Sequence, residues 1–145
     1  MKPHTFALLT VLSTVGATLL GSGCAPPPHA AVVKCSGTNF SKFDVKRDCD
    51  VRIERFDRQT AATLRVDTRR RSALVTGHFA LDQGSARVVL HGTGGPQAEA
   101  TISPDQPARL EATVRLRRPD NEFHLRFHPD GEASGLHALV SFEAR

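Results

Sequence analysis

Histidine is the first residue type in this sequence that suggests chemistry. The chain has seven histidines, and His128 and His137 fall on outward positions of segments in which apolar and polar residues alternate. Imidazole nitrogens bind zinc and copper, so His128 and His137, facing each other across two strands, form a candidate metal site. His124 lies on the same face as His128, but four residues of strand span about 13 Å, which is too far for one shared ion. Histidines that only face solvent are the alternative.

Arginine is the second such residue type, and it accounts for most of the 19 basic residues. Arg115, Arg117 and Arg126 occupy outward positions of predicted strands, and a turn contributes the run 69–71. Planar guanidinium groups bind carboxylate and phosphate through paired hydrogen bonds. These side chains therefore predict a ligand-binding face for an acidic glycan, a phosphate-bearing lipid or an acidic partner, with a merely solvated face as the alternative.

The overall charge argues against nucleic acid as the partner. The basic residues are interleaved with 15 acidic ones, the net charge is only +4, and the chain has no Trp or Tyr. Single-stranded nucleic acid is held by a strongly basic groove together with aromatic side chains on which bases stack. Neither feature is evident here.

No local motif predicts catalysis or a cofactor. The sequence contains neither G-x-S-x-G nor H-E-x-x-H, and the glycine-rich stretch at 91–96 lacks the Lys-Ser/Thr pair of a phosphate loop. We therefore expect a binding or interaction protein that is not an enzyme and carries no cofactor.

The segments that would position these side chains have the period of two that is typical of half-buried antiparallel strands. Seven segments show it, at 50–56, 62–68, 74–81, 85–92, 108–117, 121–128 and 136–144. Turn-forming residues separate them, and no helical periodicity competes. The pattern predicts an all-β antiparallel sandwich of seven or eight short strands, immunoglobulin-like or jelly-roll, with a small β-barrel as the alternative.

The inward faces also suggest two hairpins, since a shift of one residue would expose a whole apolar face. Pairing Leu81 with Ala86 keeps both strands of the first hairpin facing inward. Pairing Phe127 with Ala138 does the same for the second, and it is this hairpin that places His128 opposite His137.

The three cysteines suggest different roles. An unpaired thiol is a liability in an oxidising compartment, so Cys35 and Cys49 are predicted to form a disulfide and Cys24 to be the odd one out. A metal pair or a redox pair lacks both the C-x-x-C spacing and further ligands.

The N-terminal segment is typical of a signal for export. Lys2 precedes an uncharged run at 6–21 that is shorter than the roughly 20 residues of a membrane span. The stretch "LLGSGC", ending at Cys24, resembles the lipobox of bacterial lipoproteins, with Leu20 one position further from the cysteine than usual. Cleavage by an ordinary signal peptidase is the alternative.

The resemblance implies an organisation and a location. It implies a signal peptide at 1–23, a lipidated Cys24 followed by a proline-rich tether at 24–31, and one domain at 32–145. The lipid would hold the protein in a membrane of the cell envelope, and Ala25 after the cysteine implies the outer membrane, with the domain facing the periplasm. We expect a structural or protein-interaction module with an envelope protein partner, or else a module for an anionic ligand or a metal ion; the oligomeric state is left open.

Overall fold

The computed structural model describes residues 27–39 and 41–145, which form nine β-strands. Cys24 and the predicted signal peptide lie outside the described residues. The strands are β1 (Val32–Asn39), β2 (Val45–Phe56), β3 (Thr60–Arg65), β4 (Ser72–Ala80), β5 (Ala86–Gly92), β6 (Gly95–Ile102), β7 (Ala108–Arg115), β8 (Glu122–Pro129) and β9 (Ala133–Ala144). No helix in these ranges is long and apolar enough to cross a membrane.

The strands form two antiparallel sheets packed face to face. One sheet has five strands in the order β1-β2-β9-β4-β7, and the other has four in the order β3-β8-β5-β6. The prediction of an antiparallel β-sandwich is confirmed, with β1 and β6 added to the strands that alternation had indicated. The apolar side of each strand faces the opposite sheet and is removed from water, which supplies the main driving force for folding.

Phenylalanine rings join the two sheets at the centre of the core. Phe79 of β4 meets Phe127 of β8 with ring centroids 6.2 Å apart, and Phe123 of β8 meets Phe142 of β9 at 5.4 Å. Both contacts are edge-to-face, the arrangement that aromatic pairs prefer. With no Trp or Tyr in the chain, these rings and aliphatic side chains make up the large residues of the core.

Both predicted hairpins are wrong, although the facing of their residues is right. β4 and β5 belong to different sheets, as do β8 and β9. Phe123 and Phe142 do meet, but across the interior of the sandwich and not as neighbours in one sheet. Alternation determines which face of a strand is buried. It does not determine whether the next strand along the chain lies beside it in the same sheet or across the interior in the opposite sheet.

The predicted disulfide between Cys35 and Cys49 is confirmed. The two cysteines lie directly opposite each other on β1 and β2, 14 residues apart in sequence. Within the described part of the chain, β1 is an edge strand that pairs only with β2. The disulfide therefore fastens the outermost strand of the five-stranded sheet.

Replacing Cys35 and Cys49 together with serine is expected to lower the free energy of unfolding by about 3 kcal/mol, because the unfolded chain regains the entropy of an open loop. Denaturant unfolding of the variant, set beside the parent protein with and without reductant, measures the loss. Reduced parent and variant should unfold at the same midpoint, well below that of the oxidised parent. Equal midpoints for all three samples would contradict this role.

The two ends of the sandwich differ in what they carry. The chain enters at one end, where the Arg55 amide donates to the Pro28 carbonyl at 3.0 Å and the end of β2 pairs with the start of β9. We call this the entry end. At the opposite end, β4 begins beside the end of β7; we call this the far end.

Candidate functional site

The structure does not bring His128 and His137 together. His128 lies on β8 opposite Arg87, on the outer face of the four-stranded sheet. His137 lies on β9 opposite Arg52, on the outer face of the five-stranded sheet. The hairpin that was expected to join them does not form, so the proposed metal pair loses its geometric basis. Within residues 27–39 and 41–145, no group of three or more His, Cys, Asp or Glu side chains is placed to hold a metal ion.

His137 instead belongs to a small polar cluster near the entry end. Its Nε2 lies 3.1 Å from Oδ2 of Asp50, while Nε of Arg52 donates to Oδ1 of Asp50 at 2.8 Å. The Arg52 guanidinium and then His137 lower the pKa of Asp50 to about 2. The stability from this charge is present above the ordinary pKa of the carboxyl and is lost as pH falls through about 2.

Most arginines of the sheet faces have acidic partners. Within the described residues, five strand arginines form ion pairs with a carboxylate, as does Arg58 of the connection between β2 and β3; the five are Arg52, Arg55, Arg65, Arg87 and Arg109. Exposed pairs of this kind contribute little to stability, but they do neutralise the cation. These six side chains are therefore poor candidates for a ligand-binding site.

The remaining arginines include a group that converges at the far end. A groove of about 1260 Å³ opens there beside the edge strands β6 and β7. It is lined by Arg71, Ser72, Thr93, Gln97, Thr113, Arg115, Leu116, Arg117 and Arg118. The structure thus brings the predicted Arg115 and Arg117 together and adds Arg71 and Arg118. Arg126 is not part of the groove, because it lies on β8 in the other sheet.

Backbone hydrogen bonds fix the groove arginines relative to one another. The Leu116 amide donates to the Arg71 carbonyl at 2.8 Å, and the Thr93 amide donates to the Arg115 carbonyl at 2.8 Å. Gly92 permits the second contact, because a Cβ at that position would lie 2.5 Å from the Arg115 carbonyl oxygen. Three connections of the chain, before β4, after β5 and after β7, are therefore tied together around the groove.

A buried threonine holds two of these connections in place. Thr68 is 4% exposed; its hydroxyl donates to the Lys42 carbonyl at 2.6 Å, and its own carbonyl accepts from the Asn121 side-chain amide at 2.7 Å. Nearby, the guanidinium of Arg70 stacks over the Phe43 ring, 5.4 Å from its centroid. The loop that carries Arg71 is thus held before any ligand arrives, which reduces the ordering cost of binding.

The lining of the groove suits an oxyanion. The described lining residues are four arginines, two threonines, one serine, one glutamine and one leucine, with no acidic residue among them. The Arg118 guanidinium also donates to the Arg69 carbonyl, and the Ser72 hydroxyl donates to the Arg145 carbonyl. Within the described ranges, Arg71, Arg115 and Arg117 form no ion pair. Guanidinium groups left near one another without a carboxylate produce a local positive potential that attracts anions.

The fold and this groove together define a β-sandwich with a basic groove at one end. No family model matches the sequence, and no curated protein matches it. Several solved structures have a similar arrangement of strands.

The first similar structure is described as "CBM4 structure and function"; it is 9% identical, covers 83% of this chain and 90% of its own, and has a TM-score of 0.38. The CBM22-1 xylan-binding domain from Paenibacillus barcinonensis Xyn10C is 14% identical, with 80% and 85% covered and a TM-score of 0.40. A protein of Bacillus endospore appendages, described as disulfide-linked pili, is 14% identical, with 93% and 98% covered and a TM-score of 0.39. Similarity at this level gives no information on a ligand of this chain.

Proposed function

We propose that this protein is a non-catalytic binding module whose far-end groove takes an oxyanion carried by a larger molecule, such as an acidic glycan or a phosphate-bearing lipid. The observation that carries the proposal is the convergence of four arginines on one groove without a carboxylate in its lining. Arginines elsewhere in the fold show that acidic partners are available to this sequence. Acidic residues are absent from the described lining of the groove, which leaves its arginines open to an external anion.

The chemistry of the groove also restricts how such a ligand is held. No aromatic side chain is among the described residues that line it, so charge supplies most of the affinity that these residues can give. The groove is open to water, where each exposed ion pair contributes on the order of 1 kcal/mol or less. Useful affinity therefore requires several anionic groups, or one anion held by several guanidinium groups at once.

The experiment compares matched probes. An oligomer of galacturonic acid should bind, whereas a neutral galactose oligomer of the same length should not. Vesicles that contain phosphatidylglycerol, compared with neutral vesicles, test whether the oxyanion is that of a lipid head group. Calorimetry should show affinity for the acidic probe falling steeply between about 0.01 M and about 1 M salt, as the screening length shrinks from roughly 30 Å to 3 Å. Equal binding of charged and neutral probes, or binding that ignores salt, would contradict the proposal.

We also infer that the module is anchored by a lipid on Cys24 and lies in the cell envelope, at the outer membrane facing the periplasm. The support is the resemblance of "LLGSGC" to a lipobox. The described chain begins at the entry end, so an anchor would lie on that side of the domain. The groove is at the opposite end, about 40 Å away along a strand the length of β2, and would point away from the anchoring membrane. This arrangement favours an envelope glycan over a head group of the same membrane.

Mass spectrometry of the native protein should find a chain that starts at Cys24 and carries acyl groups; an unmodified chain that starts elsewhere would refute the anchor.

A structural or protein-interaction role is the second candidate. Leu139 is 54% exposed on the outer face of the five-stranded sheet, and β1 leaves one edge of that sheet unpaired within the described residues. Exposed edges accept strands from partner proteins. Crosslinking from a photoreactive residue at Lys34 of β1 should then capture one envelope protein reproducibly, and a change in the far-end groove should leave that product intact.

A further inference from the structure

A second group of basic residues, three histidines and two arginines, lies on the outer face of the four-stranded sheet. In the pairing of β5 with β8, His91 lies opposite His124, Val89 opposite Arg126, and Arg87 opposite His128. These positions alternate with the buried residues of the same strands, so their side chains share one outward face. The sandwich topology places this face away from the five-stranded sheet, and the arginines of the far-end groove are not part of it.

The burial of Val89 shows that these side chains form a compact layer. Val89 is only 4% exposed, yet it is not part of the central core cluster, which includes its neighbours Val88 and Leu90. An outward valine on a surface sheet becomes buried only when longer side chains close over it. The neighbours on β8 are Arg126, directly opposite, and His124 and His128 on either side.

Two polar contacts, one of them a hydrogen bond, hold one of the imidazoles in the layer. Nδ1 of His124 lies 3.0 Å from the Thr63 hydroxyl on β3, and its Nε2 lies 3.5 Å from a carboxylate oxygen of Glu122. The ring of His124 is therefore positioned by polar contacts on both nitrogens. Because both nitrogens are engaged, His124 would act on an anion through its charge and not through a direct hydrogen bond.

We propose that His91, His124 and Arg126 form a second oxyanion-binding site, and that its affinity increases as pH falls. Arg126 supplies a charge that is present at every physiological pH, and each imidazole adds one on protonation. A divalent cation is disfavoured at the same place by the fixed charge of Arg126. The ligand class is a sulfate, phosphate or carboxylate group.

The pKa of His91 agrees with this geometry. Burial, and then the nearby Arg126, His124 and His128, lower the pKa of His91 below its ordinary value. Without an anion, protonation of His91 is therefore opposed; a bound anion would offset the repulsion and raise the pKa. By linkage, anion binding must take up protons, and the affinity must increase on acidification.

Other charged groups near this face are already paired. Glu122 of β8 lies 3.8 Å from Arg65 of β3, and Glu99 of β6 lies 3.7 Å from Arg87 of β5. Asp130 follows β8 and is exposed. Glu99 of β6 lies directly opposite Val89, and Glu122 also lies 3.5 Å from His124, so both carboxylates adjoin the layer, each with an arginine within 4 Å.

Sulfate is the probe for this site, because its charge stays constant while the imidazoles titrate. Two-dimensional NMR titrations are run at about pH 5.5 and about pH 8, on either side of the ordinary histidine pKa. Binding should be about tenfold tighter at the lower pH. This factor corresponds to a rise of one unit in one imidazole pKa on binding. The shifts should occur on β5 and β8. Affinity at these strands that does not change with pH, or shifts confined to the far-end groove, would overturn the proposal.

Variants separate this site from the proposed groove. His91→Gln with His124→Gln should remove the pH dependence, Arg126→Gln should weaken binding at both pH values, and His137→Gln is the matched control that should change neither. Charge reversal at Arg115 and Arg117 should leave sulfate binding at the pH-dependent site unchanged. The proposals for the two sites can therefore be refuted separately. The imidazole resonances of the unaltered protein give an independent test: sulfate should raise the pKa of His91, and an unchanged pKa would refute the site even if a variant does not fold.

Discussion

Reversing the charge of Arg115 and Arg117 with glutamate is expected to abolish binding of an oligogalacturonate at the far-end groove. Two attractive contacts are lost, each worth about 1 kcal/mol at an exposed site. Two like-charge contacts replace them at a similar cost, so the total is about 4 kcal/mol, or roughly a thousandfold in affinity. Both side chains are exposed, and the fold should tolerate the change.

The matched control reverses two arginines that already have acidic partners. Arg55 pairs with Glu132 at the entry end, and Arg109 pairs with Glu111 near the start of β7. Arg55→Glu with Arg109→Glu changes the net charge of the protein by the same amount but leaves the groove untouched. Calorimetric affinity should be close to that of the parent protein. If the control loses as much affinity as the groove variant, overall charge is responsible and the groove has no special role.

Replacing Phe142 with alanine is expected to lower the free energy of unfolding by about 3 to 5 kcal/mol. The ring is 2% exposed and packs edge-to-face against Phe123 of the opposite sheet. Its removal leaves a cavity between the two sheets that the rigid strands cannot close. Chemical denaturation of the variant measures the loss, and a change below about 1 kcal/mol, the range of surface substitutions, would contradict a closely packed interface between the sheets.

A double-mutant cycle tests the contact itself. Phe123→Ala and Phe142→Ala should be non-additive by about 0.5 to 1.5 kcal/mol, the range for an aromatic pair. Phe56 is equally buried but lies at the entry end. It is therefore the control whose substitution should add to that of Phe142 without coupling.

Much of the fold could be predicted because alternation reports burial directly. The inward facing of Leu81, Ala86, Phe127 and Ala138 was predicted, and all four residues are buried. The pairing of Cys35 with Cys49 was also predicted and is present. The hydrogen-bonding partner of each strand could not be predicted, because the same inward face is compatible with a neighbour in the same sheet and with a strand of the opposite sheet. That ambiguity produced both incorrect hairpins, and with them the expected pairing of His128 with His137.

The candidate site was predicted only in part, for a related reason. Arg115 and Arg117 alternate along one strand, and period two is enough to place them together. Arg71 joins them only because the connection before β4 meets the chain after β7, a contact between residues distant in sequence. Arg126 has the same outward pattern as Arg115 but lies in the other sheet, where it faces histidines. Sequence pattern shows which arginines are exposed but does not show which of them converge.

The central claim is that the far-end groove binds oxyanions, and NMR mapping of an oligogalacturonate titration at about pH 8, where unperturbed imidazoles are neutral, tests it most directly. Saturable shifts should be concentrated on the amides of Thr93, Arg115 and Arg117 and should be absent with the neutral galactose oligomer. If those amides do not move while the oligogalacturonate binds elsewhere, or if no amide moves at all, the groove is not the binding site.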